Sequence, residues 1–245
     1  MNSLILFIAF ACFSLQSFSQ DSFNEDVSLI NTGELSFPLA GGGNSAKNIV
    51  HFTLSGGISQ LVYKVEGLDS EQEKYLKDLR RGFYIQSDAS YVLSDYFSVG
   101  VKYNFHKSKN ELADVTFMDI NGNTIVGSIS NDISISFIGL GLNGRLLSES
   151  EKSILNAGLA IGTISYTEDA ELLDKITAEG NAIGMLYNVG YEYAVNESFG
   201  LGFNFNYSFG TITNVKLDGV ELTGEDAFKI GTGRIQLGII GLFHF

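Results

Sequence analysis

The chain has 245 residues, a formal net charge of −13, one Pro, one Cys and no Trp, alongside 28 Gly, 19 Phe and 11 Tyr. So acidic a balance excludes nucleic acid as a partner, because phosphates demand basic patches, and it excludes a polybasic membrane-surface binder. One Cys leaves no intramolecular disulfide and no Cys-rich metal site, and a single Pro suits a chain of paired strands, since Pro donates nothing to a ladder.

Leu4 to Leu15 form an apolar run. The run is shorter than the roughly 20 residues of a transmembrane helix. It has the length of an export-signal core, and Ser17 and Ser19 supply the small residues of a cleavage site. Residues 1–19 are therefore expected to be a signal peptide, cut after Ser19. Cys12 falls inside that core, and Ala9 and Phe10 before it do not make a lipidation signal. Residues 20–47, which include Gly41-Gly42-Gly43, read as a flexible periplasmic lead-in.

From residue 48 onward the apolar residues recur with period two, the strand signal. Strands are expected near 49–62 and 83–93. The next, over 97–105, has Phe97, Val99, Val101, Tyr103 and Phe105 on one face and Ser98, Gly100, Lys102, Asn104 and His106 on the other. In the strand over 132–147 the parity switches between Phe137 and Ile138, which the sequence assigns to a bulge. A strand over 153–166 follows, then one with Ile183, Met185, Tyr187, Val189, Tyr191 and Tyr193 in phase. The clearest alternation is Phe199, Leu201, Phe203, Phe205, Tyr207 and Phe209 against Gly, Asn and Ser. Ile235, Leu237, Ile239, Phe243 and Phe245 mark the last strand.

The connections alternate in length. Residues 93–96, 148–151 and 195–198 are short turns, and two of them repeat in sequence at 94–100 and 196–202. Residues 64–81, 107–131, 167–180 and 211–230 are long and rich in charge. Short turns at one end and long loops at the other are the arrangement of a transmembrane barrel with periplasmic turns and extracellular loops. The expected fold is thus all-β: an antiparallel up-and-down transmembrane β-barrel over 48–245, with eight strands or, if the outer hairpins also span, ten.

Charge supplies the test of lipid against water outside. With outward faces fixed by apolar residues alone, Asp88, Lys102, Arg145, Glu192 and Arg234 all fall on the inward parity. A charge facing lipid at mid-depth costs about 2–4 kcal/mol, whereas a soluble barrel keeps its charges outside. These five residues are expected to form a polar network in the lumen that holds the wall together, with Asp88 and Lys102 directly opposite across the hairpin. A gated ion path is the lesser reading.

At this point the chain resembles the small outer-membrane β-barrel proteins, the OmpA-transmembrane-domain and OmpX-like group, over residues 48–245. The resemblance rests on the signal, the loop rhythm and the final segment from Gly233 to Phe245. It implies residence in the outer membrane of a diderm bacterium. It also implies that Leu237, Ile239, Phe243 and Phe245 match the C-terminal pattern read by the barrel-assembly machinery. The implied partners are outer-membrane lipid, that machinery during insertion, and an extracellular surface ligand.

No catalytic, cofactor-binding or metal-binding residues are expected. His106 lies near the outer end of its strand with Ser108 two residues on, and it reads as a polar rim residue in preference to half of a catalytic pair. His51 and His244 read as interfacial residues at the periplasmic rim. Asp119-Ile120-Asn121-Gly122-Asn123 opens like a calcium loop but has Thr124 at the sixth position and Ser130 at the twelfth. Asn121-Gly122 and Asp218-Gly219 are better read as turns of hairpins that stand above the membrane. Ser70-Glu71-Gln72-Glu73 is a capping box ahead of Lys74 to Arg81, with Glu73 and Lys77 four apart. It predicts a short, solvated helix in the first outer loop, with a lid or a contact for outer-leaflet sugar phosphates as the lesser roles. The expected function is a non-enzymatic structural or surface-interaction role. A narrow channel for small or apolar solutes is the alternative, and a lipid-modifying enzyme the second.

Overall fold

The computed structural model describes residues 50–63, 70–94, 96–118, 124–148, 152–171, 174–196, 198–222 and 228–244. The signal, the lead-in, the Asn121-Gly122 turn and Phe245 lie outside the described residues.

Eight long strands close into a ring: β1 (Val50–Leu61), β2 (Arg81–Val92), β3 (Phe97–Met118), β4 (Thr124–Leu147), β5 (Ser153–Glu171), β6 (Lys175–Ala194), β7 (Phe199–Ile212) and, after three short strands, β11 (Arg234–His244). Each pairs antiparallel with its neighbour in sequence, and β11 closes the ring between β7 and β1. The short strands are β8 (Val215–Leu217), β9 (Val220–Glu221) and β10 (Ile230–Gly231). Within the closed ring the long strands have no free edge, the condition for backbone to cross a bilayer.

The repeated turns share one geometry. Ser94 Oγ accepts from the amides of Tyr96 and Phe97 at 3.3 and 3.2 Å, and Asn196 Oδ1 accepts from those of Ser198 and Phe199 at 2.9 and 2.8 Å. At the opposite end Asp218 (φ 49°) and Gly219 (φ 81°) make the two left-handed positions of a tight hairpin turn. This turn joins β8 to β9, and β8 in turn pairs with β6.

Two expectations need correction. Residues 107–118, 124–131, 167–171 and 175–180 are strand and not loop. β3 with β4, and β5 with β6, continue as paired strands to Met118↔Thr124 and Glu171↔Lys175. Their charged outer residues mark a change of surrounding solvent and leave the ladder intact. Nor is there a bulge at Phe137–Ile138. β4 keeps an unbroken register with β5 from Ser130 to Leu147, and the irregularity on β3 lies between Leu112 and Val115.

The exterior of the turn-side portion is a continuous apolar belt. Ile183 is 78% exposed, Leu140 70% and Ile239 68%. Aromatic pairs brace it between strands, with Tyr191 and Phe203 at 5.6 Å and Phe199 and Phe243 at 5.4 Å between centroids. On β4 the belt runs from Ile138 to Leu146 and on β6 from Ile183 to Tyr193, matching the roughly 9–11 residues a tilted strand needs to span hydrocarbon. An apolar surface of this extent is incompatible with water around it. Leu237 and Ile239 belong to this belt, and Phe243 packs between Phe52 and Phe199.

Candidate functional site

The barrel interior has two chemically different halves. Toward the turns it is polar. Asp88 and Lys102 face each other in register on β2 and β3 and form a buried ion pair. Asn143 Nδ2 reaches Asp88 Oδ2 at 3.5 Å. Glu192 Oε1 accepts from Asn156 Nδ2 at 2.5 Å and lies within electrostatic reach of Arg145 and of the Asp88–Lys102 pair. Asp88, Lys102, Arg145 and Glu192, together with His51, line one cavity of about 50 Å³. That volume suits a few water molecules.

Farther along, amides bridge the lumen. Asn104 Nδ2 donates to Gln86 Oε1 at 3.0 Å and to Gln236 Oε1 at 2.7 Å. The Tyr84 hydroxyl crosses to Asn204 Oδ1 at 2.7 Å, and Asn204 Nδ2 donates to Ser55 Oγ at 3.2 Å. Gly238 makes room for that ring, because a Cβ there would stand 2.3 Å from the Tyr84 hydroxyl. Arg234, the fifth of the inward charges, is not part of the cavity. It is fully buried and donates to Asn104 Oδ1 at 3.1 Å.

Toward the long hairpins the interior is apolar. Leu61, Ile133, Ile135, Phe137, Ile164 and Leu186 form one buried cluster, joined by Tyr63, Tyr166, Ile212, Val215 and Ile230. The helix α1 (Ser70–Leu79) sits on it, with Leu76 and Leu79 buried in the cluster. The helix is therefore a packed cover and not a solvated loop segment. Only its outer face, with the 2.5 Å Glu73–Lys77 pair, is solvent-exposed.

A second hydrogen-bonded chain ties this cover to the wall. The Tyr75 hydroxyl donates to Asn131 Oδ1 at 2.6 Å, and Asn110 Nδ2 donates to Tyr75 O at 2.7 Å. Asn131 Nδ2 donates to Glu168 Oε1 at 2.6 Å, and the Tyr166 hydroxyl donates to Glu168 Oε2 at 2.5 Å. Burial pushes the Glu168 carboxyl above the ordinary glutamate range, against the smaller opposing pull of those two hydrogen bonds. Burial likewise raises the Tyr75 and Tyr63 hydroxyls, and the nearby Glu168 adds to it. The sequence reading missed this group. Its signal was present, since Glu168 shares the inward parity of Ile164 and Tyr166.

His106 is not a rim residue. Its ring is fully buried, with Nδ1 2.8 Å from Ser59 Oγ. Ser108 is also buried and faces inward. The side chain of His244 lies outside the described residues. Among the described residues no group of His, Cys, Asp and Glu has the geometry of a metal site.

No protein-family model and no curated protein matches the chain. Among solved structures it is similar to Neisserial surface protein A, with 16% identity and a TM-score of 0.46 over 80% of this chain and 97% of that one. It is similar to OprG from Pseudomonas aeruginosa, with 13% identity and a TM-score of 0.49 over 81% and 98%. A third is the outer membrane protease OmpT from Escherichia coli, with 11% identity and a TM-score of 0.49 over 84% and 99%. Likeness at this level carries no information on activity. By its closed eight-stranded ring, its lipid-facing belt and the unequal lengths of its two ends, the chain is an integral outer-membrane β-barrel.

Proposed function

We propose that this barrel is closed, with a structural or surface-interaction role in place of transport. The observation that carries this reading is the filled interior. A conduit needs a continuous water path, and here the hairpin end holds a buried apolar core covered by α1. The polar half beneath it is cross-linked by hydrogen bonds around a cavity of about 50 Å³. The test is conductance of the folded barrel in planar bilayers. Silence is expected, and discrete, reproducible openings would favour the narrow-channel alternative.

The surface on offer is the hairpin end. There the Lys107–Asp132 and Lys175–Asp169 pairs, at 3.2 and 3.0 Å, brace neighbouring strands beyond the belt, and a preordered surface loses little entropy on binding an extracellular partner. A lipid-modifying activity finds little support, because His106 and Ser108 face the interior and neither meets the lipid outside. His106→Ala is expected to leave outer-membrane lipid composition unchanged. In the same reading Leu237, Ile239, Phe243 and Phe245 serve recognition by the assembly machinery, and Phe243→Ala is expected to slow insertion.

A further inference from the structure

Asn143 on β4, Gly158 on β5 and Asn188 on β6 stand side by side in register. The two asparagines line the turn-side cavity together with Asp88. Gly158 leaves a gap between them, since a Cβ there would stand 2.2 Å from Asn143 Oδ1 and 2.5 Å from Asn188 Oδ1. Both amide oxygens thus converge on one point over the glycine. Neither has a hydrogen-bond partner, and nor has Asp88 Oδ1. The side chains that carry these oxygens are deeply placed, with Asn143 7%, Asn188 9% and Asp88 5% exposed.

Neighbouring groups fix which way the amides point. Asn143 Nδ2 turns to Asp88 Oδ2 and to Ser98 Oγ, both at 3.5 Å. Asn188 Nδ2 turns to Asn156 Oδ1 at 3.4 Å, and Asn156 spends its own Nδ2 on Glu192 Oε1 at 2.5 Å. Flipping either asparagine would set oxygen against oxygen. Among the described residues, the buried unmatched atoms of this cavity are therefore all acceptors. Lys102 is engaged by the other Asp88 oxygen, Oδ2.

Buried acceptors without partners are costly, and their complement is positive charge. Hard cations take oxygen ligands at about 2.0–2.6 Å, the spacing that the gap over Gly158 offers. Two neutral amides and one carboxylate already shared with Lys102 supply too little negative charge for a divalent ion. The cavity of about 50 Å³ leaves room for the ion and for water that completes its shell.

We infer that Asn143 and Asn188 hold a monovalent cation of sodium's size over Gly158, with Asp88 supplying the balancing charge. The ion exchanges through the turn end, because the apolar core and α1 close the other. The inference is independent of whether the barrel conducts, since a bound ion and a closed lumen are compatible.

The direct test is a high-resolution crystal structure of the folded barrel grown in sodium chloride. A peak at about 2.3–2.6 Å from both asparagine oxygens is expected, closer than hydrogen-bonded water comes. An empty gap, or a peak at the distance of a hydrogen bond, overturns the inference.

A solution test compares thermal unfolding of the detergent-folded barrel in sodium chloride and in tetramethylammonium chloride at equal ionic strength, the second cation being too bulky for the gap. Sodium is expected to raise Tm saturably by about 2–4 °C. Gly158→Ala puts a methyl group where the ion binds, and it is expected to abolish the difference between the two salts, whatever its own Tm. Should that variant fail to fold, Asn188→Ala removes one ligand oxygen and is expected to move the sodium midpoint about tenfold higher. Equal Tm in both salts, a response to calcium alone, or an unchanged sodium response in Gly158→Ala or Asn188→Ala overturns the inference.

Discussion

On β4, Leu140 and Leu142 point outward while Gly141 and Asn143 point inward; a few residues earlier on the same strand Ser136 and Ser134 point outward while Phe137, Ile135 and Ile133 point inward. The backbone register is continuous across the change. β5 repeats it, with Leu159 and Ile161 outside in one half and Ile164 and Tyr166 inside in the other. The lesson is that the phase of hydrophobic alternation reports the surrounding medium. In hydrocarbon the apolar residues go out and polar ones fill the lumen. Where the exterior is water, the same cylinder behaves as a soluble barrel, with its apolar core inside. The shift between Phe137 and Ile138 thus marks the outer edge of the membrane.

That contrast can be broken at named residues, and equilibrium unfolding by urea in lipid vesicles reads each case. The largest effect is expected in the polar half. Lys102→Met leaves Asp88 buried without its cation and should cost about 3–5 kcal/mol, most of it recovered when Asp88→Leu is added, because an apolar pair replaces a desolvated ionic one. In the apolar half Phe137→Ala should cost about 3–5 kcal/mol as a core cavity, and no polar second change should restore it.

Next in size is the exterior. Leu140→Arg should cost about 2–4 kcal/mol in lipid, whereas Ser134→Arg, three positions beyond Phe137, should stay within about 0.5 kcal/mol. If the two arginines cost the same, the assignment of the membrane edge fails. Removing the Tyr75 hydroxyl with Tyr75→Phe should cost about 1 kcal/mol and should speed hydrogen exchange in α1 specifically.

The smallest expected effect is a pH slope. The Glu168 carboxyl titrates higher in the folded barrel than in the unfolded chain. Between those two values the folded state holds the extra proton, so stability falls as pH rises from the ordinary glutamate range through the folded value, and levels off beyond it. Glu168→Gln should remove that slope. A slope unchanged by the substitution would place its origin elsewhere.

Much of this was legible without coordinates. The belt residues of β6 and β7, the repeated turns and the pairing of Asp88 with Lys102 follow from period-two alternation and hairpin symmetry, which are local properties of the chain. The same local rule misassigned the region beyond Ile138. A short run such as Ile133, Ile135 and Phe137 looks identical whether its outer neighbours meet lipid or water, and the sequence reading attributed the shift to a bulge. His106 was misplaced for the same reason, since depth inside the cylinder is not encoded in strand parity.

By itself the sequence determined the closed antiparallel barrel, its inward charges and which end carries the turns, because alternation and turn chemistry are set within a few residues. Beyond the Asp88–Lys102 pair, only the tertiary structure decided which inward groups meet. Asp88, Lys102, Arg145 and Glu192 share a cavity, Arg234 stands apart, and Glu168 joins Asn131 beneath α1. Contacts across a lumen depend on strand stagger and on what covers the mouth, and both arise when distant segments close into a ring.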